Sequence, residues 1–261
     1  MSHTLRVSPR DAGRIRLIQI TDTHIAREPG PTDFEGVDTA ATLAAVLGKV
    51  DALPETPDCM VLTGDLVDIP SPEAYGRLRA LLRERRYPVV CLPGNHDDPA
   101  MMDGLLNAGA LSTSRVIDFG PWRVLMLNEW VAGSDGGRFS QPELDFLRRE
   151  LTAAGPAPVL ICLHHQPVPI GSPWMDGMGL DHAAELFAVT DSFNIVRGMV
   201  WGHIHQEFST ERRGIPLWGT PSTCVQFLPG AGEYLIDHLA PGFRTFEFMP
   251  GGALASRVIR I

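Results

Sequence analysis

The stretch "MVWGHIHQE", residues 199–207, places two histidines on either side of a single isoleucine at the end of an apolar run. Along an extended backbone the side chains of His203 and His205 leave on the same side, so both imidazoles can face one target. Four other apolar runs end in a similar way. "LIQITDTH" ends in Asp22 and His24, and "MVLTGDLVD" in Asp65 and Asp68. "VVCLPGNHDD" ends in Asn95, His96, Asp97 and Asp98, and "VLICLHHQP" carries His164 and His165. Imidazole, carboxylate and amide oxygen are ligands for first-row metals. Burying this many without a counter-ion carries a heavy desolvation cost, which cations relieve. The set is too large for one ion, and the two oxygens of Asp65 can bridge a pair. None of the four cysteines belongs to it, so a thiolate zinc or iron–sulfur site is not expected.

Taken singly, these motifs are weak. A lone DxH is near noise, GD after a strand is a common turn, and GNHD fits a turn with a capping asparagine. The signal is their recurrence at five strand ends, because α/β sheets bind ligands in the crevice beyond the carboxyl ends of their strands.

The elements that must position these groups are legible from hydrophobic periodicity. "IRLIQITD", "DCMVLTGD", "PVVCLPGNHD", "APVLICLHH" and "IVRGMVWGH" read as strands. Between them, residues 37–53, 71–85, 99–107, 140–151 and 181–190 read as helices. Ser71 opens the second with Pro72 in its first turn. Ser140 with Glu143 three residues on predicts a capping box. "RVIDFG" and "WRVLMLNE" predict an antiparallel pair across "GPW". From residue 207 to 261 the chain turns to short strands broken by Gly and Pro, the mark of antiparallel β structure. An α/β first part with a β-rich finish predicts two packed sheets flanked by helices. No repeat or long linker divides the chain, so residues 1–261 read as a single domain.

Composition narrows the function classes. With 44% hydrophobic and 20% charged residues, the chain is an ordinary globular one. Its net charge of −9 and lack of a basic stripe argue against a nucleic-acid partner. No apolar run reaches membrane-spanning length and the N-terminus carries no signal-peptide core, so a cytoplasmic protein with no membrane partner is expected. Cys59, Cys91, Cys162 and Cys224 are far apart, and three of them lie inside apolar runs, so reduced, buried thiols are expected. "GSDGG", residues 133–137, lacks the Lys of a phosphate-binding P-loop and reads as a flexible loop. Trp174, in "IGSPWMDGMG", could stack on a purine or pack its loop against the body.

In order, these motifs resemble the calcineurin-like metallophosphoesterases, whose pattern is DxH, GDxxD, GNH[DE], a histidine before HxP or HxxP, and GHxH. The resemblance covers about residues 15–228. "CLHHQPVPIGSPWMD", "GHIHQE" and "TPSTCVQFLP" are similar in particular to the class III bacterial 3′,5′-cyclic AMP phosphodiesterases. It implies a four-layer α-β-β-α sandwich with two packed mixed sheets. It implies one metal on Asp22, His24, Asp65 and His205, and a second on Asp65, Asn95, His164 and His203. His164 is chosen over His165 because the family's ligand is the first residue of that motif. The family favours iron or manganese, while zinc or cobalt also suit mixed nitrogen and oxygen ligands.

The implied reaction is hydrolysis of 3′,5′-cyclic AMP to 5′-AMP by a hydroxide held between the metals. Asn95 and His96 would hold phosphate oxygens and His96 would protonate the leaving oxygen. His24, Asp65 and His205 would line the same substrate space. A glycerophosphodiester or another small phosphodiester is the alternative substrate on the same site. A non-catalytic scaffold is disfavoured, since no ligand is missing. Asp68 stands where purple acid phosphatases carry a tyrosine, so no ferric-phenolate chromophore is expected. Asp68 and Asp97 are instead expected to orient histidines from behind. The β-rich C-terminal part could pair subunits into a homo-oligomer through an edge strand.

Overall fold

The computed structural model describes residues 4–11, 13–31 and 36–261. Among them, two large mixed sheets pack face to face. The first runs in the order Leu254–Arg260, Gly242–Phe248, Ile15–Ile20, Cys59–Thr63, Val89–Leu92, Leu111–Ser112. The second runs Thr4–Arg6, Val116–Asp118, Arg123–Met126, Val159–Cys162, Val196–Trp201, Ile215–Gly219, Phe208–Arg212. Their central strands are parallel, pairing Ile15–Ile20 with Cys59–Thr63 and then Val89–Leu92 in one sheet, and Val159–Cys162 with Val196–Trp201 in the other.

Helices cover both outer faces. α1 (Thr39–Asp51), α2 (Pro72–Leu82) and α3 (Pro99–Leu105) lie on the six-stranded sheet; α4 (Gln141–Ala153) and α6 (Ala183–Thr190), with the short α5 (Pro173–Asp176) between them in the chain, belong to the seven-stranded side. This is the expected α-β-β-α sandwich.

The alternation of strand side chains explains why the central strands read as unbroken apolar runs. Ile18, Ile20, Met60, Leu62, Val89 and Cys91 pack outward with Leu43, Tyr75 and Leu78 of the helices. Leu17, Cys59, Val61, Val90 and Leu92 pack inward against Val124, Leu160, Cys162 and Val200 of the other sheet. A strand buried on both faces has no polar face to show. All four cysteines are buried and unpaired. Asp38, Ser71 and Ser140 cap α1, α2 and α4 by accepting the amides of Ala41, Ala74 and Glu143.

The structure departs from the sequence reading in four places. Glu143 does not close a capping box: its carboxylate accepts the amide of Asn128 at 2.9 Å and pairs with Arg115. A partly buried cation and an orphan amide outcompete the cap. Beyond residue 206 the structure is not purely antiparallel, because Ile215–Gly219 joins Val196–Trp201 in parallel. Leu254–Arg260, which periodicity did not mark, is a full edge strand against Gly242–Phe248. The glycine-rich 133–137 segment is tied down, with Gly137–Arg138 paired to Leu180–Asp181 and the Arg138 amide bonded to the Glu129 carbonyl at 2.8 Å. No helix among the described residues is long and apolar enough to cross a membrane.

Candidate dinuclear metal site

The polar motifs meet where the two sheets present their strand ends together. Asp22, His24, Asp65, Asn95 and His96 come from loops of the six-stranded sheet, and His164, His203 and His205 from the seven-stranded one. Asp65 stands between two groups. Its Oδ1 lies 3.3 Å from His164 Nε2, and its Oδ2 lies 3.7 Å from His24 Nε2. His205 Nε2 is 3.2 Å from His24 Nε2 and 3.6 Å from Asp22 Oδ1. On the other side His164 Nε2 is 3.1 Å from Asn95 Oδ1. The ring of His203 packs against that of His164, with centroids 5.1 Å apart. Asp22, His24 and His205 form one cluster of metal-compatible atoms, and Asp22, Asp65 and His164 another.

Imidazole tautomers follow from the partners behind each ring, since a carbonyl can only accept. His164 Nδ1 donates to the Thr63 carbonyl at 2.8 Å, His205 Nδ1 to Val225 at 2.9 Å and His96 Nδ1 to Asp68 at 2.9 Å. In a neutral ring each Nε2 then carries a lone pair. The lone pair of His164 faces two oxygen acceptors, and that of His205 faces a carboxylate. His203 adds a buried Nε2 with no hydrogen-bond partner among the described residues. Acceptors that converge on acceptors repel unless a cation sits among them, so these residues fit a pair of metal ions.

The electrostatics divide the histidines: at His164 burial is outweighed by Asp65 and Asp22, which raise its pKa to about 10, so positive charge is favoured between these groups. Burial, reinforced by neighbouring imidazoles, holds His24 and His203 far below the usual histidine range and His205 at about 3. Each is thereby kept as the neutral ligand form. Burial, helped by the neighbouring Asp65 charge, raises the Asp22 carboxyl to about 7 against the pull of His164. Asp65 moves the other way: burial opposes its ionisation, but the surrounding imidazoles hold it well below the carboxylate range.

Backbone conformation is the part that alternation misjudged. Asp22, His24, Asp65, His203 and His205 all have left-handed φ, between 40° and 64°. None continues a strand. The tight turns send His203 toward His164 and His205 toward His24. Such conformations cost on the order of 1–3 kcal/mol each and persist where surroundings over-determine them. Here hydrogen bonds between loops do so: the His203 amide donates to both Asp22 oxygens, and the His96 amide donates to Asp65 Oδ1. Gly64, Gly94 and Gly202 leave room for this approach, since a methyl on any of them would overlap His164, Asp65 or Thr21.

Asn95 and His96 are the partly exposed members of the group. Asp68 does orient a histidine, through its carbonyl on His96 and with its carboxylate 3.9 Å away. Asp97 does not: its carboxylate accepts the amides of Gly94 and Leu66 and the Tyr75 hydroxyl, pinning two ligand loops together. Asp98 caps α3. Trp174 packs edge-on to Phe227 and Tyr234, and Phe227 stacks flat on His205 at 4.1 Å; Trp174 is a packing residue here. His165, the rejected neighbour, donates from Nε2 to the Asp135 carbonyl at 3.2 Å, while its ring packs on those of His164 and His203, the three forming a further group of metal-compatible atoms. Sequence reasoning missed Glu129. A glutamate closing the apolar run "WRVLMLNE" occupies the same strand-end position as the other motifs, and that was the available signal.

Comparison with known proteins agrees with this geometry. Residues 15–207 match the calcineurin-like phosphoesterase family, and the chain belongs to that family. It is 39% identical to the 3′,5′-cyclic adenosine monophosphate phosphodiesterase CpdA of Escherichia coli (strain K12), over 95% of this chain and 90% of that one. It is 35% identical to the protein of the same name from Pseudomonas aeruginosa, covering 97% and 93%. A 3′,5′-cyclic-nucleotide phosphodiesterase from Nostoc is also 35% identical, covering 95% and 92%. Among solved structures, a dimetal phosphatase from Danio rerio shares the fold with a TM-score of 0.64 at 16% identity, over 94% of this chain and 98% of that one.

Proposed function

We propose that this chain is a dinuclear metal-dependent phosphodiesterase that hydrolyses 3′,5′-cyclic AMP to 5′-AMP. The observation that carries the metal reading is Asp65, whose two oxygens face separate clusters of convergent acceptors. Cyclic AMP as substrate is supported by the full-length likeness to the named phosphodiesterases. One ion is held by Asp22, His24, Asp65 and His205, the other by Asp65, Asn95, His164 and His203, with iron or manganese the expected metals. Bound there, they supply Lewis acidity toward phosphoryl oxygens and an acidified water as nucleophile.

The protein's own groups handle the leaving oxygen. Hydrolysis adds the oxygen of water to phosphorus as the bond to O3′ breaks, and O3′ needs a proton. His96 is partly exposed and keeps one proton on Nδ1, against the Asp68 carbonyl. Burial works against its charged form, but Asp65 and Asp68 outweigh this and raise its pKa above the ordinary value. The imidazolium presents Nε2–H to O3′ as the general acid. Asn95, beside it, holds a non-bridging oxygen.

The chain works as one domain in the cytoplasm, a setting that suits four buried free thiols. The edge strand Leu254–Arg260 is available to pair with a second copy. Steady-state rates with cyclic AMP, cyclic GMP and glycerophosphocholine, after reconstitution with iron, manganese, zinc or cobalt, test the proposal. Cyclic AMP should be turned over fastest; turnover of glycerophosphocholine alone would replace this reading with the glycerophosphodiesterase one.

A further inference from the structure

Glu129 takes no part in the chemistry above, yet it is 1% exposed and sits directly behind the ligand loop of the seven-stranded sheet. Its Oε1 accepts the backbone amides of both His164 and His165, the latter at 2.9 Å. The same oxygen lies 3.4 Å from His165 Nδ1. Its Oε2 has no hydrogen-bond partner among the described residues. A buried carboxylate without a full partner set is costly, so its contacts at this point call for a reason.

The neighbours supply one. The His165 ring stands edge-on to His164 at 4.7 Å and leans on His203 at 4.5 Å. Its far nitrogen is fixed by the Asp135 carbonyl. Gly137 closes the cluster from behind, where a methyl would overlap both His165 and Glu129. Glu129 itself is anchored through its carbonyl to the Arg138 amide at 2.8 Å. Carboxylate, amides and rings thus form one packed unit ending at His164 and His203.

We propose that Glu129 is a positioning residue for the His164–His203 half of the site. It sets the main chain at His164 and His165 through the two amide bonds, and thereby the place of the His165 ring on which His203 packs. The proposal rests on the two-ion reading but not on the substrate. Groups that orient metal ligands from behind typically contribute about 10–100-fold to metal affinity.

The test is calorimetric titration of the full chain with Mn²⁺, for the wild type, Glu129→Ala and Glu129→Gln. Glu129→Ala should weaken one of two ions by about 10–100-fold and leave the other unchanged. Glu129→Gln keeps an oxygen for both amides and should restore most of the loss. Wild-type affinity at both sites in the alanine variant, equal weakening of both, or a glutamine variant as defective as alanine would each overturn the proposal. Should Glu129→Ala not fold, Gly137→Ala, which crowds the same pair, must show the one-site loss for the proposal to stand. If the wild type binds two ions but leaves cyclic AMP intact, the substrate reading falls and the positioning role survives; a wild type that binds only one ion sinks both.

Discussion

The two sheets contribute unequally to the site. Loops of the six-stranded sheet bring the carboxylates Asp22 and Asp65, the Asn95 amide, and His24 and His96. Those of the seven-stranded sheet bring only imidazoles, His164, His203 and His205. Each half has one buried carboxylate behind it, and these are satisfied differently. Asp97 has both oxygens engaged, Oδ2 by the Gly94 and Leu66 amides and Oδ1 by the Tyr75 hydroxyl, which also accepts the Asp98 amide. Glu129 loads two amides onto one oxygen and none onto the other. The anionic half is therefore held by redundant bonds and the imidazole half by few, so one lost contact should matter more in the second.

Changes at the seam between the halves should have the largest effect. Asp65 faces both, so Asp65→Ala is expected to retain fewer than two metals and to lose more turnover than any variant below. Elemental analysis beside steady-state kinetics checks this, and two retained metals would remove the bridging role. His96 lies outside the ligand set. His96→Ala should keep both ions while kcat falls by about 10²–10⁴-fold; an unchanged rate would exclude it as general acid.

Chelation probes the converging acceptors themselves. At a metal concentration of about 100 Kd, one bound ion stabilises the folded chain by about 2.7 kcal/mol. Stripping it should lower the Tm by roughly 5–10 °C for a chain of this size. Calorimetry with and without chelator reads this directly, and an unmoved Tm would argue that no ion is bound. The smallest effect tests redundancy. Tyr75→Phe removes one of three donors to Asp97, costing about 1–3 kcal/mol of stability, with kcat unchanged in excess metal. A fall in kcat comparable to that of His96→Ala would show the anionic half to be as fragile as the other.

Much of this was legible because each motif closes an apolar run. A strand buried on both faces announces itself as such a run, and a polar group just past its end can only enter the crevice. That logic located Asp22, His24, Asp65, Asn95, His96, His164, His203 and His205, all of which the fold brings together. It did not extend to backbone shape. The i, i+2 argument assumed extended chain at "HIH", whereas His203 and His205 are left-handed, as are Asp22 and His24 of "DTH". Glu143 and Asp97 also escaped it: each has a short-range sequence role, but partners distant in sequence (Arg115 and Asn128; Leu66 and Tyr75) claim the side chain instead.

Residue order alone determined which atoms could bind cations and that they would gather at one end of a layered α/β body, because periodicity and ligand chemistry are local properties. The tertiary structure decided which atom faces which. Tautomers are set by carbonyls such as those of Thr63 and Val225, far along the chain, and the left-handed turns persist only because neighbouring loops bond to them. Those are long-range constraints, and no window of sequence contains both partners.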